Sequence, residues 1–271
     1  MYLTRHETAA GPRWAVDGRF LPEHFRLGTW LRLSRTSASD FLETVAKGEA
    51  ATGALLPPLE PSHEVWASGV TYLRSREART AESEVKDIYT KVYEAPRPEL
   101  FLKSTGARVV GHGMKIRVRK DAIWNVPEPE LTLVVNAGLE IVGCTAGNDV
   151  SSRDIEGENP LYLPQAKVFN GSCALGPGIL LATAEELADV AIRVEIERAG
   201  ARLFEGETRS SKMKRALKEL TAYLGRELDF PEGTLLMTGT GIVPPDSFTL
   251  KAGDLVRIGV GSLTLENEVA A

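Results

Sequence analysis

Past residue 64 the chain is written in short β-type runs stopped by Gly, Pro and Asn, and this punctuation restricts it to a sheet-rich fold. Residues 131–135 and 139–143 flank Asn136-Ala-Gly138, a hairpin signature in which Gly supplies a positive φ. Residues 190–197 alternate apolar and charged side chains, and 202–205 follow a Gly-containing turn in a position to pair back on them. Residues 234–237, 254–260 and 263–269 read as further strands. One helix interrupts the series over 211–224, where Met213, Ala216, Leu217, Leu220 and Leu224 form a single apolar stripe.

The first 60 residues carry a few short apolar runs and a helix expected over 38–47, with Ser37 or Ser39 as its cap. The Leu-Pro-Pro-Leu-Glu-Pro stretch at 56–61 can neither continue a helix nor sit inside a sheet, so it reads as a linker. The expected division is a small N-terminal domain over 1–60 and a β-rich domain over 61–271.

Composition removes several classes of function. With 271 residues, 43% apolar and 25% charged, the chain can bury its own core and needs no disulfide. A net charge of -5 without a basic run lacks the footprint of a nucleic-acid binder. No apolar stretch approaches the roughly 20 residues of a membrane span. The opening Met-Tyr-Leu-Thr-Arg-His has no signal core, so a cytoplasmic protein is expected. Cys144 and Cys173 stand apart in apolar surroundings and read as buried reduced thiols. His6, His24, His63 and His112 share no ligand spacing.

The chemistry lies between residues 126 and 154. In an extended chain, residues i and i+2 face the same way, so Glu128 and Glu130 of Val126-Pro-Glu-Pro-Glu-Leu131 present two carboxylates side by side. Such a pair costs free energy unless a cation lies between them. Asp149 returns after one hairpin with a third carboxylate, and oxygen-only ligation suits Mg²⁺, Mn²⁺ or Ca²⁺ rather than zinc. Taken alone, the Glu-Pro-Glu is also compatible with a solvated turn.

A wider pattern bears on that choice. Gly69-Val-Thr-Tyr72, Pro98-Glu-Leu-Phe-Leu-Lys103, Pro127-Glu-Pro-Glu-Leu131, Gly147-Asn-Asp-Val-Ser-Ser-Arg-Asp154, Lys167-Val-Phe-Asn-Gly171, Leu175-Gly-Pro177 and Thr238-Gly-Thr-Gly241 occur in this order. Together with the Gly253-Asp254 strand they resemble the fumarylacetoacetate hydrolase superfamily over residues 65 to 269. The resemblance implies an α+β, β-rich fold built as a mixed β-roll or β-sandwich. It also implies an Mg²⁺-type ion on Glu128, Glu130 and Asp149, a small 2-oxo acid as substrate, and a homodimer or homotetramer.

Two departures narrow it. Hydrolases and decarboxylases of this type carry a catalytic His soon after the Gly-x-x-Tyr segment, whereas this chain has Leu73-Arg-Ser-Arg-Glu-Ala78 and no His between His63 and His112. The connection from Glu130 to Asp149 is also short. Both features resemble the 2-keto-3-deoxy-D-arabinonate dehydratase branch, which forms 2,5-dioxopentanoate. By that resemblance Glu99 and Lys167 are the acid–base pair, with Lys167 also holding substrate, and Thr240 either binds the substrate carboxylate or serves its turn. Arg153 and Asp154 are expected to form an internal Arg–carboxylate pair supporting the site. The alternative is an acylpyruvate hydrolase or oxaloacetate decarboxylase on the same metal site, with Glu77 or Glu99 activating water.

Overall fold

The computed structural model describes residues 1–82 and 86–271. The chain begins with β1 (Tyr2–His6), β2 (Arg13–Val16), β3 (Arg19–Phe20), α1 (Leu27–Trp30), α2 (Arg35–Val45) and β4 (Leu55–Leu56). Past the proline-rich stretch come β5 (Glu64–Gly69), α3 (Leu73–Glu82), α4 (Lys86–Glu94) and β6 (Glu99–Thr105). The middle holds β7 (Asn125–Val126), β8 (Pro129–Val135), β9 (Ile141–Asp149), β10 (Ser151–Ser152), α5 (Arg153–Glu158), α6 (Leu163–Lys167) and β11 (Cys173–Leu181). The last part holds β12 (Ala191–Arg198), β13 (Ala201–Arg209), α7 (Leu217–Leu224), β14 (Thr234–Met237), β15 (Leu255–Val260) and β16 (Leu263–Glu268).

Ten strands form one mixed sheet in the order β3, β2, β1, β11, β9, β8, β14, β5, β6, with β4 beside β1. β14 lies parallel to β5 and antiparallel to β8. A second sheet, in the order β13, β12, β15, β16, is antiparallel. The second sheet and α7 cover one face of β8 and β9, so Leu131, Leu133 and Val135 pack with Ile192, Ile258 and Leu220. The alternate residues Val134 and Val142 face a second core with Leu3, Trp30 and Leu42. Burial on both faces explains why β8 reads as a nearly unbroken apolar run. The strands on either side of residue 60 thus share one sheet, β1 pairing with β11.

Several local expectations change. α2 starts at Arg35 because Ser34 accepts from the Ser37 backbone N–H, which makes Ser34 the cap in place of Ser37 or Ser39. The helix expected from 211 begins only at Leu217. Residues 213–215 bridge and bend instead, since Met213 pairs with Tyr72 while Lys214 and Arg215 reach the end of α4. In the β8–β9 turn the positive φ belongs to Leu139, at 61°, and not to Gly138. The Asn136 side chain accepts from the Gly138 and Glu140 N–H groups, and Leu139 lies over Gly225, where a Cβ would meet Leu139 Cδ1 at 2.2 Å. Both cysteines are free and buried, and burial pushes each thiol up to about 12.

Candidate active site

The metal-ligand candidates come together because β8 and β9 are adjacent and antiparallel, Pro129 facing Asn148 and Glu130 facing Gly147. Glu128, Glu130 and Asp149 are buried, and each offers one carboxylate oxygen within 4.8 Å of the others. Glu130 accepts the Gly239 N–H at 2.6 Å. Desolvation and the nearby Asp149 and Glu128 carboxylates push Glu130 well above the ordinary carboxylate range. Three buried carboxylates this close together, one of which resists ionisation, form a donor set that a divalent cation completes, and all its donors are oxygens. The residues present therefore fit Mg²⁺ or a similar ion.

Cations surround the triad. Lys167, at the C-terminal end of α6, lies 2.8 Å from Glu128 Oε2, 3.1 Å from Asp149 Oδ2 and 2.6 Å from Ser151 Oγ. Desolvation opposes its charge, but Asp149 and Glu128 more than offset this and hold the ammonium above its usual range. Lys103 reaches Asp149 Oδ1 at 2.5 Å and donates to the Lys167 carbonyl. Arg79 and Arg153 both meet Glu128 Oε1, at 2.6 and 3.0 Å. Burial raises the Glu128 carboxyl, yet Lys167, Arg79 and Arg153 outweigh it and keep the group ionised well below the usual range.

Glu99 opens β6 directly opposite Gly69 of β5. Its carboxyl accepts no hydrogen bond among the described residues, and it lines the same cavity as the triad and Lys167. Desolvation, followed by the Glu156 charge, pushes it up to about 7. A carboxyl group poised there and free to accept or donate suits proton transfer. Thr240 also lines the cavity, with its hydroxyl engaged by the Ile242 backbone at 3.2 Å.

Of the supporting residues, Arg153 pairs across to Glu128, whereas Asp154 accepts the Ile123 N–H. Glu77 is exposed on α3, and the same helix turns Ser75 and Arg79 into the cavity. Arg79, Lys103 and Glu156 are site residues that spacing did not single out. Ser75 and Arg79 are four apart on one helix, which puts them on one face. Lys103 sits at a bulge where Leu102 and Ser104 pair with consecutive residues Trp66 and Val65, and bulges re-aim side chains.

The chain belongs to the fumarylacetoacetate hydrolase family: residues 64–270 match the model described as the fumarylacetoacetate (FAA) hydrolase C-terminal domain. Within it, the chain is 47% identical over 212 residues to a Haloferax volcanii protein named "Probable 2-keto-3-deoxyxylonate dehydratase", covering 77% of this chain and 72% of that one. It is 45% identical over 213 residues to the 2-dehydro-3-deoxy-D-arabinonate dehydratase of Saccharolobus solfataricus, covering 76% and 70%. A solved 2-keto-3-deoxy-D-arabinonate dehydratase complexed with magnesium and 2,5-dioxopentanoate superposes with a TM-score of 0.84 at 35% identity, covering 100% of this chain and 99% of that one. The expected sheet-rich fold is that of these enzymes. No helix among the described residues is long and apolar enough to cross a membrane.

Proposed function

We propose that this chain is a Mg²⁺-dependent hydro-lyase that removes water from a 2-keto-3-deoxypentonate, arabinonate or xylonate, to give 2,5-dioxopentanoate. The observation that carries this reading is the Glu99 carboxyl, which accepts no hydrogen bond among the described residues and is set in one cavity with Lys167 and an acidic triad. The relatives at 45% and 47% identity are named as dehydratases of such acids, and the magnesium complex of a third supports the choice of ion.

Glu128, Glu130 and Asp149 would hold the ion, whose Lewis acidity polarises the 2-oxo group when bound. Lys167 binds the substrate carboxylate and keto oxygen and neutralises charge that develops there. Glu99 takes a proton from C3 and returns one to the departing C4 hydroxyl, which leaves as water. Thr240, which lines the cavity, would orient the carboxylate. Hydrolysis of an acylpyruvate would need a water activator, and with Glu77 exposed on α3 that role would fall to Glu99.

The reading extends to a homodimer or homotetramer working in the cytoplasm, with residues 1–60 as a unit that extends the large sheet. It is supported by the family resemblance and, for the sheet, by the pairing of β1 with β11. Incubating the protein and Mg²⁺ with the two pentonates, acylpyruvates and oxaloacetate, and following products by mass, tests the function. Loss of water from a pentonate is expected; cleavage or CO₂ release with the pentonates untouched would overturn it.

A further inference from the structure

Helix α3 begins directly after Tyr72 and forms one wall of the cavity, so whatever seats it also shapes the reacting space. The two ends of the α3–α4 pair are held by a single short segment. Met213 forms a β-bridge with Tyr72, and the Lys214 N–H donates to the Thr71 carbonyl at 2.9 Å, fixing the entry to α3. Arg215 donates to the Ala95 and Pro96 carbonyls at 2.6 and 3.1 Å, and Lys214 Nζ to the Tyr93 carbonyl at 2.7 Å, fixing the exit from α4. These contacts hold the base of the pair and do not set how the middle of α3 meets the cavity.

Arg79 does meet it. Its Nη1 donates to Glu156 Oε2 and its Nη2 to Glu128 Oε1, both at 2.6 Å, with all three side chains buried. One guanidinium thus joins α3 to α5 and to the residue preceding β8. A planar fork meets two carboxylates at once, which an ammonium on a flexible stem does not do in the same geometry. Glu156 is the second residue in this argument. Buried beside Glu99, it is the largest charged influence on that carboxyl, and Arg79 is its charge partner. Removing the guanidinium takes from buried Glu156 its ion-pair partner and leaves it, among the described residues, only the longer-range charge of Lys167, a locally destabilising state. Glu128, by contrast, keeps Arg153 and Lys167.

We propose that Arg79 is a positioning residue, which seats α3 against the cavity and fixes the Glu156 carboxylate beside Glu99, a role that rests on the dehydratase reading above. Its effect falls on turnover more than on the ion, because Glu128 keeps two other cations.

The test uses Arg79→Gln, Arg79→Lys, Arg79→Ala, Glu156→Gln and the double variant Arg79→Gln/Glu156→Gln in the full chain. In Arg79→Gln, kcat on the pentonate is expected to fall about tenfold or more while KM stays near the parent value. Calorimetric Mg²⁺ affinity should change by less than about threefold, as a charge retained by two partners requires. Arg79→Lys should recover part of the loss, and added guanidinium should restore part of the turnover of Arg79→Ala. Hydrogen exchange over residues 73–81 supplies a readout that needs no activity. It should quicken in Arg79→Gln and in Glu156→Gln, and in the double variant no further than in Arg79→Gln, because the contact that Glu156→Gln breaks is already lost with the guanidinium. Unchanged kcat in Arg79→Gln, or a loss that tracks the fraction unfolded and ignores guanidinium, overturns the proposal. Unaltered exchange over 73–81 in both single variants overturns it as well, whatever the parent turns over. A parent protein inert toward pentonates, with exchange altered as expected, sinks the dehydratase reading instead.

Discussion

Gly69 and Glu99 stand opposite one another on β5 and β6, and a Cβ built on Gly69 would fall 2.2 Å from Glu99 Oε2. The carboxyl group of the candidate proton carrier lies where a side chain at 69 would be. Position 69 is a glycine because of its cross-strand partner, since its backbone does not occupy the left-handed region. Gly69→Ala is therefore expected to fold but to push Glu99 aside. Displacements of about 1 Å at a reacting group cost on the order of 100-fold, so kcat/KM should fall by about that factor with Tm little changed. Steady-state kinetics beside a thermal melt checks this, and an Ala variant with parental kcat/KM would show that Glu99 is not positioned in this way.

Glu99→Gln is expected to lower kcat by about 10² to 10⁴, the usual contribution of a positioned acid or base. Acting first as a base, Glu99 must be ionised, so kcat/KM should rise with pH as the group loses its proton near or below 7, a bound divalent ion pulling the midpoint down. The variant should lack that rise. A pH–rate profile of both proteins decides it.

The same group opposes folding. A carboxyl whose folded value, about 7, lies above the ordinary 4.5 binds its proton more tightly in the folded chain. Stability then falls as pH rises between those values and stays lowered above them. In chelator-treated protein, Glu99→Gln should gain about 1 to 2 kcal/mol at pH 8 after allowance for the partial exposure of Glu99, and nothing at pH 4. Denaturant titrations at the two pH values measure the difference.

Removal of individual ligands should separate charge pairing from ion binding. Glu128→Ala removes the carboxylate that Arg79, Arg153 and Lys167 share and is expected to destabilise the ion-free protein by about 3 to 5 kcal/mol, as when one partner of a buried pair is lost. Glu130→Gln removes the carboxyl that resists ionisation, so the ion-free protein should be as stable as the parent or more so. Both variants should lose the rise in Tm that Mg²⁺ gives the parent. Melts with and without Mg²⁺ are the measurement.

Lys167→Met should abolish turnover and yet bind Mg²⁺ more tightly than the parent, because the ammonium now lies 2.8 and 3.1 Å from two of the carboxylates that would hold the ion. Calorimetry reads the sign directly. Weaker binding in this variant would mean that Lys167 props the carboxylates apart rather than competing for them.

The sequence made the catalytic strands legible for a physical reason. β8 and β9 are a local hairpin, so the two-residue period and one turn suffice to bring Glu130 and Asp149 near each other. Glu99 and Lys167 carry no such local signal, and only the family pattern singled them out. Arg79 and Glu156 meet across 77 residues, between helices whose packing no periodicity records. The turn at Leu139 was misread because Gly138 is the ordinary bearer of a positive φ, whereas here the Asn136 carboxamide and the fit of Leu139 over Gly225 decide the geometry. Helix α7 begins later than its apolar stripe, which runs on through Met213 and Ala216, because the Tyr72 bridge and hydrogen bonds to α4 hold 213–215 out of a helix.

The placing of β14 between β8 and β5 has a consequence for how the molecule is made. When the ribosome has released β8, its neighbour on that side is still some hundred residues from being synthesised. Until then β5 and β8 each present an open edge with apolar faces, the kind of surface through which nascent chains adhere to one another. Gly239, which donates to Glu130, and Thr240 arrive with that same late strand. The hairpin carrying the carboxylates can close early, but the enclosure around it is finished only when the last quarter of the chain slides home, so a nascent chain stalled before residue 234 would hold its acidic residues in a half-built sheet.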